Sequence, residues 1–234
     1  MKIGIVLTGF FCGDYLAEAV KSIQLQEDLD WNCAIVFDPS EQGVAIDELT
    51  LKDRRFVLIQ SKPLNVCAAR NQGYAAIDGE LLFSLDGDDL IGPHYISTLR
   101  RLMYRPEVVL AYTGTRYFGE FDGIKYDHEY SPRLLAIRNP IVSSAMIRRT
   151  DFYDVGGYDE RLEIGYEDWD LWISILKRGG EVAFDPFPHF MYRQRLRSRS
   201  RQISYESETK AKEYIFHKHR DFCWHSKKMT GARV

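Results

Sequence analysis

The feature that most constrains the fold is a regular alternation of short apolar runs with helix-patterned segments in the first hundred residues. The runs are rich in β-branched and aliphatic residues, and they cover residues 2–7, 33–37, 55–59 and 80–85. Between them, residues 14–26 and 65–77 carry apolar positions at helical spacing, and Pro93 suits the first turn of a further helix. Repeated strand–helix–strand units imply right-handed crossovers. We therefore expect an α/β fold with a Rossmann-like, mostly parallel central sheet flanked by helices.

The second half of the chain is less regular. Residues 107–130 have the pattern of strands joined by Gly-containing turns, and residues 139–149 form another extended run. A helix is predicted over 166–178, short Pro-punctuated strands over 182–192, and a last helix over 204–225. This pattern predicts a small antiparallel portion followed by a C-terminal helical tail.

Charge is distributed unevenly along the chain. The formal net charge is −3, but residues 193–234 hold 12 Lys and Arg against 4 Asp and Glu, whereas the first 192 residues sum to −11. The acidic body excludes a generally basic nucleic-acid coat protein, and no motif for reading nucleic acid is present. The aromatic residues of the tail favour a helix packed on the body, with peripheral membrane contact through its basic residues as the alternative. A homodimer also stays open.

The cellular location is predicted from what the sequence contains. The four cysteines include no CxxC pair, which argues against a zinc site or a disulfide framework. The first residues resemble a strand entering a helix more than a signal peptide, and no apolar run of about 18 residues occurs. We expect a cytoplasmic protein, with a place at the inner face of the membrane as the alternative.

Acidic residues crowd the predicted ligand-binding edge of the sheet, at the carboxyl ends of its strands. The segment DGDD places Asp86, Asp88 and Asp89 directly after the fourth strand, and Thr8 and Asp38 follow the first and second strands. Three carboxylates within four residues repel one another unless a positive charge offsets them. Mg²⁺ or Mn²⁺ would do so, typically through one or two carboxylates and phosphate oxygens. The alternative is a solvated Asp-Gly turn, but the buried strand before it and the helix after it favour a cation site.

A second acidic pair, Glu167 and Asp168, opens the helix predicted over 166–178. Carboxylates at a helix N-terminus are stabilised by the helix dipole, so this placement has a purely structural explanation. The functional alternative is an ionised carboxylate that takes a proton from an acceptor hydroxyl. Spacing alone leaves both interpretations open.

Four segments, in order, resemble the family 2 glycosyltransferases, which have the nucleotide-sugar-binding GT-A fold. The segments are NVCAARNQGYAAIDGELLFSLDGDDLIGPHYI, SSAMIRRTDFYDVGGYDERL, GYEDWDLWISILKRGG and YRQRLRSRS. The resemblance implies a GT-A domain over residues 1–203, with a nucleotide-sugar-binding half at 1–105 and an acceptor-side half at 106–203. Residues 204–234 would form a basic helical extension.

The resemblance also implies roles on the donor side. Asp86 would lie near the nucleotide ribose and the metal, and Asp88 would bind the cation, Mn²⁺ or Mg²⁺. Asp38 occupies the position that contacts the base, although a proline replaces the second acidic residue usual there. Arg70 would sit against the sugar-nucleotide edge, where an internal salt bridge to the aspartates is its structural alternative. Thr8 matches a nucleotide contact in a first loop that departs from the usual Pro-Thr-Tyr-Asn.

On the acceptor side, the resemblance implies that Asp168 is the general base and that Glu167 contacts the acceptor or the donor sugar. At the tail, Arg195 stands where many relatives carry a histidine. An arginine cannot ligate a cation but can hydrogen-bond phosphate oxygens in a bidentate manner. We therefore expect Arg193 and Arg195, with Arg199, to neutralise the donor diphosphate together with the metal. A solvated basic loop is the alternative.

The implied reaction moves a sugar from a nucleoside-diphosphate sugar to an acceptor hydroxyl, on a carbohydrate or another molecule, with inversion at the anomeric carbon. A nucleotidyltransferase would usually carry a basic residue in a Gly-rich loop after the first strand, and LTGFFCGDY has none. A non-catalytic binding module of the same fold is the other alternative. The presence of both Asp88 and Asp168 argues against it.

Overall fold

The computed structural model describes residues 1–39, 50, 52–61, 65–125, 129–163, 165–196 and 204–223. The strands of this part of the chain are β1 (Ile3–Gly9), β2 (Trp31–Phe37), β3 (Phe56–Gln60), β4 (Leu81–Asp86), β5 (Leu90–Ile91), β6 (Val108–Gly119), β7 (Gly123–Lys125), β8 (Met146–Arg148) and β9 (Glu181–Gln194). Its helices are α1 (Tyr15–Gln24), α2 (Val66–Ala75), α3 (Tyr95–Leu102), α4 (Pro132–Leu135), α5 (Arg149–Asp154), α6 (Glu167–Leu176) and α7 (Tyr205–Lys218).

These strands form one mixed sheet in the order β3-β2-β1-β4-β8-β6-β9-β5, with β7 paired to β6. The four strands β3, β2, β1 and β4 run parallel. Strand β8 is antiparallel to both β4 and β6, and β5 is antiparallel to β9. Together with the flanking helices, this arrangement confirms the predicted α/β fold with a mostly parallel sheet and an antiparallel portion.

The centre of the sheet is apolar because β1 lies between two parallel neighbours. All seven residues of β1 are buried, and its apolar run is typical of a parallel strand covered on both faces. Thr8 pairs with Asp86 of β4, and Gly9 pairs with Phe37 of β2. The register therefore brings the carboxyl ends of three strands to the same edge.

Several predicted elements differ from the structure in their details. Helix α2 is confirmed with Asn65 as its N-cap, whose side chain accepts a hydrogen bond from the backbone N–H of Ala68 (2.8 Å). Pro93 instead precedes the N-cap of α3 and is not in its first turn. In the predicted run 139–149, only β8 is a strand.

Strand β9 is continuous where short strands were predicted. Its pairing with β6 shifts register between Asp185 and Phe190, and both prolines of the segment fall in this irregular stretch. Because proline has no N–H for the ladder, the irregularity accommodates both without ending the strand.

The last described element is α7, with Ser204 as its N-cap. The description ends at residue 223, so the end of the predicted helix at 225 and the rest of the basic tail lie outside it. Within the described ranges, no helix is long and apolar enough to cross a bilayer.

Candidate active site

A buried arginine ties together three segments that are distant in the sequence. The side chain of Arg70, which is only 1% exposed, donates from Nη2 to Asp86 Oδ1 and from Nη1 to Glu167 Oε1, both at 2.8 Å. Thr8 Oγ1 donates to the same Asp86 oxygen at 3.1 Å. These contacts unite the end of β1, the end of β4 and the start of α6. Asp38, 8% exposed, follows β2 at the same edge.

Helix α2 can place Arg70 over the strand ends because it packs closely on β1. A Cβ atom on Gly73 would lie 2.6 Å from Val6 Cγ1, so a glycine permits this approach. Burial alone would lower the pKa of Arg70, but the charges of Asp86 and Glu167 outweigh it and raise that pKa well above its usual value. Arg70 therefore remains charged although it is fully buried, and it links Asp86 to Glu167.

The loop after β4 requires a glycine at its first position. The N–H of Gly87 donates to the carbonyl oxygen of Thr8 at 2.9 Å, and a Cβ atom on Gly87 would lie 2.7 Å from that oxygen. The next two carboxylates, those of Asp88 and Asp89, have different partners. Asp89 is buried and accepts from the backbone N–H of Arg193 at 2.8 Å, while Asp88 Oδ2 pairs with Arg195 Nη2 at 2.6 Å.

The Arg193 side chain makes two polar contacts and two contacts with aromatic rings. Its Nε donates to the carbonyl oxygen of Asp88 (2.7 Å), and its Nη2 pairs with Glu18 (2.7 Å). The guanidinium also lies over the rings of Tyr15 and Phe118, at 4.1 and 4.4 Å from their centroids. This side chain fixes the Asp88 loop against α1 and β6.

Arg195 has fewer and weaker anchors. Besides the pair with Asp88, its Nη1 donates to the carbonyl oxygen of Phe11 at 3.2 Å. Its side chain is 23% exposed, compared with 9% for Arg193. The two predicted diphosphate ligands therefore occupy unlike environments. The third, Arg199, lies outside the described residues.

The aspartates of the loop after β4 are incompletely neutralised. Burial and the neighbouring Asp86 raise the pKa of Asp88, although Arg195 and Arg193 partly oppose this. Burial, together with Asp88 and Asp86, raises the pKa of Asp89 well above its usual value. The loop thus favours the arrival of further positive charge.

The second acidic pair is placed by an unusual turn. Gly165 and Tyr166 both have positive φ, 112° and 66°, and Tyr166 is the N-cap of α6. A left-handed conformation at a tyrosine is uncommon, and such residues cluster at functional sites. The Tyr166 hydroxyl donates to Glu208 of α7 at 2.9 Å. This turn directs Glu167 and Asp168 into the first turn of α6.

Asp168 accepts two hydrogen bonds and has a raised pKa. Its Oδ2 accepts from Asn139 Nδ2 (2.9 Å), and its Oδ1 accepts from the N–H of Trp169 (2.8 Å). Burial and the charge of Glu167 raise the pKa of Asp168 to about 7, with Arg70 partly opposing the shift. Glu167 itself is paired to Arg70, so the two acidic neighbours have different surroundings.

Sequence reasoning missed Asn139, which orients Asp168 across 29 positions of the chain. The only signal is an isolated Asn-Pro dipeptide in an apolar run, which indicates a turn and gives no partner. The predicted residues Thr8, Arg70, Asp86 and Glu167 do lie in one network, next to Asp168. The pair Asp88–Arg195 adjoins that network, since Asp88 lies two residues beyond Asp86.

The donor groups suit a divalent cation that also binds phosphate. Among the described residues, no group of three His, Cys, Asp or Glu side chains is arranged to hold a metal ion. Asp86 and Asp88 supply carboxylates, and Mg²⁺ or Mn²⁺ needs only one or two when phosphate oxygens complete the shell. Two carboxylates therefore fit such an ion. A cation at Asp88 Oδ2 would have to replace the guanidinium of Arg195.

A second charged cluster, which we call the C-terminal clasp, joins α7 to α6. It consists of Asp159, Arg161, Asp170, Tyr214, Lys218 and His219. Lys218 Nζ bridges Asp159 Oδ2 (2.8 Å) and Asp170 Oδ2 (2.7 Å), and His219 Nε2 lies 2.8 Å from Asp170 Oδ1. Because Asp170 lies two residues beyond Asp168, the clasp supports the helix that carries the acidic pair.

Comparison with known proteins agrees with this architecture. Residues 5–164 match the model of the family described as Glycosyl transferase family 2. O-antigen biosynthesis protein RfbC of Myxococcus xanthus is 25% identical over 206 residues, which cover 84% of this chain. The chain spans only 16% of the length of RfbC.

Two solved structures share the fold. TarS residues 1–349 of S. aureus, in complex with UDP-GlcNAc, superpose with a TM-score of 0.75 at 13% identity, over 95% of this chain and 72% of that one. The mannosyltransferase PcManGT of Pyrobaculum calidifontis, in complex with GDP-Man and Mn²⁺, superposes with a TM-score of 0.66 at 12% identity. The match covers 100% of this chain and 76% of that one. The fold is GT-A. Because the family model matches more than half of this chain, the chain belongs to glycosyl transferase family 2.

Proposed function

We propose that the chain transfers a sugar from a nucleoside-diphosphate sugar to an acceptor hydroxyl, with inversion at the anomeric carbon. One observation carries the proposal: Arg70 pairs with both Asp86, at the end of β4, and Glu167, so that Asp168 follows directly on a residue tied to the strand end. The structures of TarS with UDP-GlcNAc and of PcManGT with GDP-Man support a donor of this class.

The donor's nucleoside would lie along the ends of β1, β2 and β4. Asp38 would accept hydrogen bonds from the base, and Thr8 and Asp86, which are hydrogen-bonded to each other, would lie by the ribose. Arg70, which is buried, holds Asp86 in position through its salt bridge. Open parallel sheets bind nucleotides at this edge because the strand ends leave a crevice there.

Asp88, with Asp86, would hold the Mn²⁺ or Mg²⁺ ion. When bound, such an ion offsets the negative charge that develops on the leaving diphosphate. Arg193 and Arg195 add positive charge beside the same loop. Arg193 would act from a fixed position, whereas the more exposed Arg195 would bind phosphate oxygens through two hydrogen bonds.

Asp168 would remove the proton from the acceptor hydroxyl as that oxygen attacks the anomeric carbon. A base with a pKa near the working pH combines a useful ionised fraction with real proton affinity. Asn139 fixes the carboxylate orientation, and Glu167, next to the base, would contact the acceptor or donor sugar. A single base facing the leaving group gives one displacement and hence inversion.

A panel of nucleoside-diphosphate sugars, incubated with Mn²⁺ and simple sugar acceptors, tests the proposal. We expect at least one donor to yield free nucleoside diphosphate and a product whose anomeric configuration, read by NMR, is inverted. Asp88→Asn should lose this activity, whereas Arg101→Gln, at a surface pair with Asp185, should keep it. Donor binding without turnover by the unaltered protein would instead indicate a non-catalytic binding module.

A further inference from the structure

We propose that Arg195 and a divalent cation compete for Asp88, and that a nucleoside diphosphate relieves the competition by drawing the Arg195 guanidinium onto its phosphates. Cation and nucleotide would then bind cooperatively. The inference deepens the proposed function and rests on it, because it assigns the order of events at the same carboxylate.

The competition follows from a shared oxygen atom. Arg195 Nη2 lies 2.6 Å from Asp88 Oδ2, and the Asp88 side chain is 21% exposed. A Mg²⁺ or Mn²⁺ ion takes carboxylate oxygens at about 2.1 Å, so both cations on this carboxylate would lie within roughly 5 Å of each other. A divalent ion and a guanidinium at that separation repel each other, and the repulsion is several times stronger near a protein surface than in water.

Arg195 is the arginine that can leave. Its remaining hydrogen bond goes to a backbone carbonyl, that of Phe11, and its buried Nε has no hydrogen-bond partner among the described residues. Arg193, by contrast, is held by Glu18, by the Asp88 carbonyl and by two aromatic rings. Apart from its pair with Asp88, Arg195 would therefore lose only the Phe11 hydrogen bond and a 5.7 Å contact with the Tyr15 ring, fewer contacts than Arg193 would lose.

A diphosphate gives the displaced guanidinium a better partner. Arginine binds phosphate oxygens through two parallel hydrogen bonds, which are stronger than the same bonds to neutral groups. Asp88 would then be available to the cation that the same diphosphate also ligates. Because coupling between two ligands is reciprocal, the cation must tighten nucleotide binding by the same factor.

Binding of Mn²⁺ alone, followed by the electron paramagnetic resonance signal of the free ion, tests the competition. We expect Arg195→Gln to bind Mn²⁺ roughly tenfold more tightly than the unaltered protein, since a neighbouring positive charge is removed. Arg195→Lys, which keeps the charge, should stay close to the unaltered protein. Arg178→Gln, at the exposed pair with Asp154, is the control and should leave Mn²⁺ affinity unchanged.

The same titration repeated with UDP or GDP tests the coupling. Nucleotide should tighten Mn²⁺ binding to the unaltered protein by a larger factor than to Arg195→Gln, while melting temperatures confirm that each variant is folded. Equal Mn²⁺ affinities of the unaltered protein and Arg195→Gln, with nucleotide still bound, would overturn the competition and leave the proposed function standing. Unequal affinities with no binding of any nucleoside diphosphate would support the competition and contradict the proposed function.

Discussion

The strand-end site and the C-terminal clasp are both built from carboxylates and cations, yet the pKa values of their aspartates are shifted in opposite directions. The strand-end site comprises Asp86, Asp88, Asp89, Glu167 and Asp168 with Arg70, Arg193 and Arg195. Its aspartates Asp88 and Asp168 have raised pKa values. In the clasp, burial would raise the pKa of Asp159, but hydrogen bonds from its neighbours hold it well below the usual value.

The difference lies in how completely each cluster is neutralised. Two clasp carboxylates are met by Arg161, Lys218, His219 and the Tyr214 hydroxyl. The five strand-end carboxylates have only three arginines beside them, and the guanidinium of one, Arg193, pairs with Glu18 instead. A satisfied cluster contributes to the stability of the fold. An under-neutralised one stores unfavourable energy that a proton, a metal ion or a substrate hydroxyl can relieve. Charge balance, more than residue type, therefore separates the structural cluster from the proposed functional one.

Asp168→Asn is the variant that should distinguish the strand-end site from the clasp most clearly. We expect transfer to fall by about 10²–10⁴-fold, the usual contribution of a general base, while donor binding measured by calorimetry persists. Asparagine keeps the shape of the side chain and removes the unfavourable charge, so stability should not fall. Near-normal turnover would exclude Asp168 as the base.

The next largest effect is expected at Arg70, the one fully buried cation of the strand-end site among the described residues. Arg70→Met leaves Asp86 and Glu167 without their partner and should lower the free energy of unfolding by about 3–5 kcal/mol, measured by urea denaturation. Its matched control is Arg101→Met at an exposed pair, where a change of at most about 1 kcal/mol is expected. An equal, small loss in both variants would show that Arg70 is not a structural tie.

In the clasp, Lys218→Met should lower the free energy of unfolding by about 2 kcal/mol, because two charged hydrogen bonds are lost, one to the buried Asp170 and one to the partly buried Asp159. Turnover should change much less than in Asp168→Asn. A loss of transfer as large as that of Asp168→Asn, in a folded variant, would mean that the two clusters are not functionally separate.

The smallest expected effect is a pH-dependent difference in melting temperature. Because the folded-state pKa of Asp168 is raised to about 7, its contribution to stability is present at low pH and is lost as pH rises from about 4 to 7. Asp168→Asn should therefore gain stability relative to the unaltered protein across this range. The lowered pKa of Asp159 has the opposite sign, and its contribution is lost only as pH falls below about 4. A melting-temperature difference that is constant from pH 4 to pH 8 would contradict the raised pKa.

Much of the fold could be predicted because local patterns specify it. The apolar run of β1, the Asn65 cap of α2 and the strand end at Asp86 each carry their own signal. Strand β9 was harder, because its prolines indicate breaks and only its pairing with β6 shows a continuous strand.

The candidate site was predictable where a motif marks it and not where long-range packing makes it. Asp86, Asp88 and the Glu167–Asp168 pair stand out in the sequence, and the structure places them at one edge. Asn139 does not, since nothing local links it to a carboxylate 29 positions away. The unequal settings of Arg193 and Arg195 arise in the same way, from the Tyr15 and Phe118 rings that flank only the first closely.

The central claim, that an under-neutralised edge turns Asp168 into a base with a pKa near neutrality, is tested most directly by the pH dependence of kcat. With the donor selected from the panel at saturation, we predict that kcat rises through a midpoint near pH 7 to a plateau. A kcat that stays flat or falls between pH 5 and pH 8 would contradict it.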